Sequence, residues 1–146
     1  MTLYTLGFTK KSAKEFFALI KENGIDLLID IRLNNKSQLA GFTKGDDLEY
    51  FLKEICGCAY KHCEEFAPTK EILNAYQNEE IDWTEYEKQY NNLINKRGDY
   101  ISFVKRFAPY KKIALLCSEP TAERCHRRLI AELLCKSNSN LTIQHI

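Results

Sequence analysis

Residues 25–32, "IDLLIDIR", decide the fold. Their apolar side chains run almost without a break between turn residues, Asn23-Gly24 before them and Asn34-Asn35 after. A strand with one wet face alternates polar and apolar residues. A near-continuous apolar run belongs to a strand covered on both faces, as in a parallel sheet. Immediately upstream, Ser12 and Glu15 have capping-box spacing. They precede an apolar set of Phe16, Phe17, Leu19 and Ile20, and Asn23-Gly24 gives a helix stop. Upstream again, Thr2–Gly7 ("TLYTLG") reads as a short strand closed by Gly7. Strand, helix and buried strand make a β-α-β unit.

The alternation continues downstream. A polar loop from Leu33 to Lys44 leads to a helix, "DDLEYFLKEIC", with Asp46 as the expected N-cap and Gly57 just past its end. "CAYKHC" (58–63) reads as a short strand. Residues 69–107 read as helical, interrupted near Asn78 and at Gly98, with Leu73, Tyr76, Trp83, Tyr86, Tyr90, Leu93 and Ile94 on the buried side. A second apolar strand runs from Lys112 to Cys117. Pro120 and Thr121, the latter as N-cap, open a last helix expected over Ala122–Cys135, and "LTIQHI" closes the chain. The expectation is a single three-layer α/β domain over residues 1–146: a mostly parallel sheet of about five strands with helices on both faces.

The 146 residues suit one compact domain. The formal net charge of +1 gives no global basic field for nucleic acid, although it leaves room for a local basic patch. No apolar run is long enough to cross a bilayer and the N-terminus has no signal-peptide pattern, so no membrane partner is expected. Six cysteines in such a chain are expected to be thiols in the cytoplasm.

In open parallel sheets, ligands bind beyond the carboxyl ends of the strands. Those ends are Gly7-Phe8-Thr9, Asp30-Ile31-Arg32, Tyr60-Lys61-His62 and Cys117-Ser118-Glu119, which gather polar and reactive residues on one edge. The last helix then brings Cys125, His126 and Arg127 in its first turns, and a helix N-terminus favours an anion. Cys117 is the candidate nucleophile, since a cysteine near a helix N-terminus and a cation has a depressed pKa. His126 or His62 is the candidate acid or base, with Asp30 or Glu119 orienting it. Arg32 and Arg127 are expected to hold the anion as bidentate donors. Cys125 falls in helical register with Ala122, Leu129 and Ile130, which turns it toward the core.

Spacing weighs against several specific chemistries. A phosphatase-like anion loop has a shorter Cys-to-Arg spacing and contains glycine; here six residues separate Cys117 from Arg124 and none is glycine. The glycine-rich fingerprints of dinucleotide and triphosphate sites are absent. Cys56 and Cys58 have one residue between them, and Cys63 follows His62; on a strand Cys58, Tyr60 and His62 share a face that excludes Cys63. No metal is assigned, and no cofactor or oligomeric state follows from the sequence. Two further readings stand beside an enzyme. One is a module that binds a nucleotide or nucleic-acid phosphate without turnover, extended by "NKRGDY" and "RFAPYKK". The other is a purely structural network of Asp30, Arg32, Glu119 and Arg127.

"TLG", "DIR", "YKH" and "LLCSE" followed by "CHR", in that order over Thr5 to about Leu134, resemble the family known as domain of unknown function 488. The resemblance implies a small, mostly bacterial or archaeal, cytosolic α/β protein with no agreed biochemical activity. It carries the family's recurrent residues to Gly7, Asp30, Arg32, Tyr60, His62, Cys117, Glu119, Cys125, His126 and Arg127. The chain departs from the family pattern after "DIR", where "LNNKSQ" lacks a proline, and after "YKH", where "CEEFAPTKE" lacks a glycine pair.

Overall fold

The computed structural model describes residues 1–36, 40–119 and 122–146. Five parallel strands form one sheet: β1 (Thr2–Gly7), β2 (Leu27–Asp30), β3 (Ala59–His62), β4 (Lys112–Cys117) and β5 (Thr142–His145), in the order β3-β2-β4-β1-β5. The helices are α1 (Ala13–Glu22), α2 (Gly45–Phe51), α3 (Lys70–Gln77), α4 (Trp83–Arg97), α5 (Phe103–Arg106) and α6 (His126–Ser137). All strand pairs are parallel, so the expected α/β class holds in its all-parallel form. Among the described residues no helix is long and apolar enough to cross a membrane.

The order of the strands dictates which face each helix covers. The chain steps toward the β3 edge through α1 and α2, then back through α3 to α6, and right-handed crossovers put those two sets on opposite faces. The core follows. Tyr4, Leu6, Leu28, Ala114 and Leu116 pack with Phe16, Phe17 and Ile20 of α1 and Leu48 of α2. Their strand neighbours Leu3, Leu27, Ile29, Ile113 and Leu115 point the other way and pack with Tyr86, Tyr90 and Ile94 of α4 and Leu129 and Ile130 of α6. That two-sided burial is what the unbroken apolar runs require, at about 1.5–3 kcal/mol for each side chain taken fully out of water.

Local signals place several boundaries. Ser12 and Glu15 make the capping box of α1, and Asp82 and Thr69 cap α4 and α3. Two boundaries differ from expectation. Lys44, not Asp46, holds the N-cap position of α2 and makes no side-chain cap; Asp46 sits in the first turn, where its charge still suits the helix dipole. The end of that helix widens into π-type turns over Leu52–Cys56, and Gly57 closes it at φ +61°. The last helix starts at His126 with Cys125 as its N-cap residue, later than the expected Ala122. The expected cap, Thr121, lies outside the described residues.

β4 is central, between β2 and β1. The helices that follow β1 and β2 lie on one face and the helix that follows β4 on the other. Chains leave the sheet in opposite directions on both sides of the β4 end, and a crevice opens there.

Candidate functional site

The strand ends are level: Gly7 pairs in register with Cys117, and Asp30 with both Leu116 and His62. The ladder runs on past them, with Ile31 N–H donating to the Leu116 carbonyl (3.1 Å) and Thr9 N–H to the Ser118 carbonyl (3.0 Å). A cleft of about 800 Å³ lies over this edge. Its floor is Cys117, Ser118, Cys125 and His126; Tyr76, Trp83 and Tyr86 make an aromatic wall on the α4 face, and Phe8 and Phe42 line the cleft from the α1 face. Among the described lining residues Lys10, Lys11, Arg32 and Arg124 are cationic and Glu119 is the sole carboxylate. Lys10 stands at φ +63°, a backbone region costly to a residue with a Cβ.

Ten residues were expected at the site. Cys117, Glu119, Cys125, His126 and Arg32 line the cleft; Gly7, Asp30, Tyr60, His62 and Arg127 do not. The second group forms a frame. Asp30 is fully buried and its carboxylate is saturated: Oδ1 accepts Arg32 Nε–H (2.9 Å) and Arg32 N–H (3.2 Å), and Oδ2 accepts Arg32 Nη2–H and the Tyr60 hydroxyl (both 2.7 Å). Arg32 also donates to the Thr43 carbonyl (2.6 Å), and its guanidinium lies over the Phe8 ring. His62 sits 2.7 Å through Nε2 from the Arg32 carbonyl, which can only accept, so His62 donates there. Burial, then the Asp30 charge, raises the Tyr60 hydroxyl above its ordinary pKa. Asp30 and His62 hold the β2 end in place, and Arg32 has few donors left for a ligand.

The β4 end is different. Cys117 Sγ lies 3.7 Å from His126 Nδ1, and His126 Nε2 lies 2.9 Å from the Ile31 carbonyl. That carbonyl fixes the proton on Nε2 and aims Nδ1 at the sulfur. Cys117 is held well below the ordinary thiol pKa, first by a hydrogen bond from the Cys125 thiol, against its burial, then by His126 and the Glu119 N–H. Cys125 is correspondingly raised and keeps the proton. Burial alone would lower His126; the Cys117 sulfur and the Ile31 carbonyl outweigh it and raise the imidazole. At Cys58 and Cys63 burial is the largest influence and outweighs the donors and cations nearby, pushing both thiols up to about 12.

Cys125 therefore faces Cys117 across the site floor rather than the core. As an N-cap residue, with φ −140° and ψ 141°, it does not share the helical register that the sequence suggested. Arg127 also departs from expectation. It is 1 % exposed and lies behind the floor, donating to the Glu119 carbonyl and approaching Cys125 Sγ at 3.7 Å, while its Nε has no partner among the described residues. Glu119 itself is exposed, so the four-residue network of Asp30, Arg32, Glu119 and Arg127 does not form as one unit. Gly7 is needed for this packing. A Cβ there would fall 1.6 Å from the Glu119 carbonyl oxygen and 2.8 Å from Arg127 Nη1.

The other cysteines are not gathered: among the described residues the one group of three or more potential metal-ligating side chains is Cys117, Cys125 and His126. "NKRGDY" and "RFAPYKK" contribute no cleft residue; Arg97 instead donates to the Ala67 carbonyl (2.7 Å). What sequence reasoning missed is the aromatic wall, because Tyr76, Trp83 and Tyr86 at helical spacing read as core.

The fold and the edge define an α/β protein with a thiol–imidazole centre in a cationic, aromatic cleft. The profile of the family described as "Domain of unknown function DUF488" matches residues 12–134, most of the chain, and the protein belongs to that family. The match begins after Gly7. Comparison with curated proteins and with solved structures gives no match.

Proposed function

We propose that the protein is a small enzyme that takes an anionic, phosphate- or nucleotide-like substrate into the cleft, with Cys117, Cys125 and His126 as its reaction centre. The observation that carries this reading is the meeting, in one cavity, of a positioned Cys117–His126 pair and a lining in which Lys10, Lys11 and Arg124 face one carboxylate, Glu119, while the charge of Arg32 is matched by Asp30. Lys11 is held below its ordinary pKa by partial burial and then by the Arg127 charge. An anion beside it relieves that crowding. The aromatic wall adds a stacking surface, Tyr76–Trp83 at 5.8 Å and Trp83–Tyr86 at 5.1 Å between centroids, which favours a planar ring on the ligand. Cytoplasmic residence belongs to the same reading and is supported by six free cysteines.

Trp83 is the only tryptophan, so its emission reports on the cleft. Titration with AMP, adenosine and inorganic phosphate separates ring from charge. Saturable quenching by AMP, weaker with adenosine and opposed by salt, is expected; equal response to AMP and adenosine, or none, overturns the reading. A non-catalytic module is the alternative, favoured by the same aromatic wall. Turnover in a panel of phosphorylated and nucleotide substrates, lost in Cys117→Ala while AMP binding is kept, decides for the enzyme.

A further inference from the structure

The sulfur and nitrogen atoms of the floor make a ligand set. We propose that Cys117, Cys125 and His126 bind a divalent metal ion of the zinc class, with the fourth coordination position open to the cleft. The ligand atoms of the three residues all lie within 4.8 Å of one another, and Cys117 Sγ is 3.7 Å from His126 Nδ1. A tetrahedral zinc site with Zn–S of about 2.3 Å and Zn–N of about 2.0 Å sets its ligands about 3.5–3.8 Å apart. Small side-chain movements close the set around an ion.

The surroundings are those of metal ligands. His126 donates Nε2–H to the Ile31 carbonyl at 2.9 Å, the outer contact that orients a ligating imidazole and leaves Nδ1 for the metal. Cys125 Sγ also has the Arg127 guanidinium at 3.7 Å, a donor suited to a metal thiolate. Two thiolates neutralise a dication, and sulfur with imidazole selects zinc over magnesium or calcium. The buried Arg127 has no carboxylate partner among the described residues, so the assembled site keeps one positive charge. That charge favours an anion in the open position. The three residues all line the cleft. Three protein ligands with an accessible fourth position is a catalytic, not a structural, arrangement.

The identity of the anion rests on the proposed function; the metal site does not. Zn²⁺ alone, titrated into chelator-stripped full-length protein against a chromophoric chelator, is expected to bind one ion per chain. Co²⁺ is expected to give a thiolate charge-transfer band and intense tetrahedral d–d absorption. Cys117→Ala, Cys125→Ala and His126→Ala should each weaken Zn²⁺ by more than about 100-fold, while Cys135→Ser, remote from the site, leaves it unchanged. Far-UV circular dichroism shows which variants fold, and the cobalt spectrum of the wild type needs none of them. Absence of the charge-transfer band, or unchanged Zn²⁺ affinity in a folded Cys117→Ala or Cys125→Ala protein, overturns the metal site. Stripped protein that binds AMP but no Zn²⁺ removes the metal and leaves the cleft reading standing; protein that loads Zn²⁺ and ignores AMP does the reverse.

Discussion

Two neighbouring strand ends carry buried charge in opposite ways. At the end of β2, Asp30 and Arg32 form a closed set. The carboxylate accepts from Arg32 and Tyr60, Arg32 reaches Thr43, and His62 ties off the Arg32 carbonyl. At the end of β4 the set is open: Arg127 is as deeply buried as Asp30, yet among the described residues it has no carboxylate and its Nε has no partner. Two thiols and an imidazole share protons beside it. A saturated ion pair spends its binding capacity on the fold. An unsaturated one keeps capacity for a ligand. On the proposed function, the first end is a frame and the second is the working centre.

The largest expected effect tests the frame. Asp30→Ala leaves Arg32 buried beside no anion and should cost about 3–5 kcal/mol in urea unfolding; a loss near zero would erase the distinction between the two ends. Gly7→Ala is next. Its methyl group meets the Glu119 carbonyl, so the β4–α6 connection must shift, at about 1–3 kcal/mol by the same measurement, and AMP quenching should weaken with it. Trp83→Leu probes the wall. Loss of stacking should weaken AMP by about 1–3 kcal/mol in calorimetry, and unchanged affinity would remove the ring from the ligand description. The smallest effect is at Lys10. Lys10→Gly should stabilise the fold by up to about 1 kcal/mol, since φ +63° suits glycine, yet bind AMP more weakly. A change of the same sign in both would mean that the strained lysine does not serve the cleft.

The sheet was legible because buried parallel strands leave unbroken apolar runs: β1 and the Lys112–Cys117 strand fall where the sequence placed them. The capping box of α1 is equally local. The start of α6 was not legible. "AERC" has good helix formers, but Cys125 is held extended at the edge of the Cys117 site, and a helix read from Ala122 turns Cys125 the wrong way. That polar residues gather at the strand ends was readable from type and position, and which of them line the cleft was not. That division depends on contacts across long separations, His62 to the Arg32 carbonyl and His126 to the Ile31 carbonyl, for which a single sequence carries no local signal. The aromatic wall was hidden for a related reason. Tyr76 and Trp83 pack against the core with one side and face the cleft with the other, and helical periodicity records only the first.

The most direct measurement of the division is an amide chemical-shift map of the intact protein titrated with AMP. The largest shifts are expected at Phe8–Lys11, Ser118–Glu119 and Arg124–His126 and at the Trp83 indole, with the Ala59–His62 amides of β3 nearly silent. Shifts centred on β3, or on the apolar hollow beside Phe17 and Phe51, would contradict the assignment of the β4 end as the working centre.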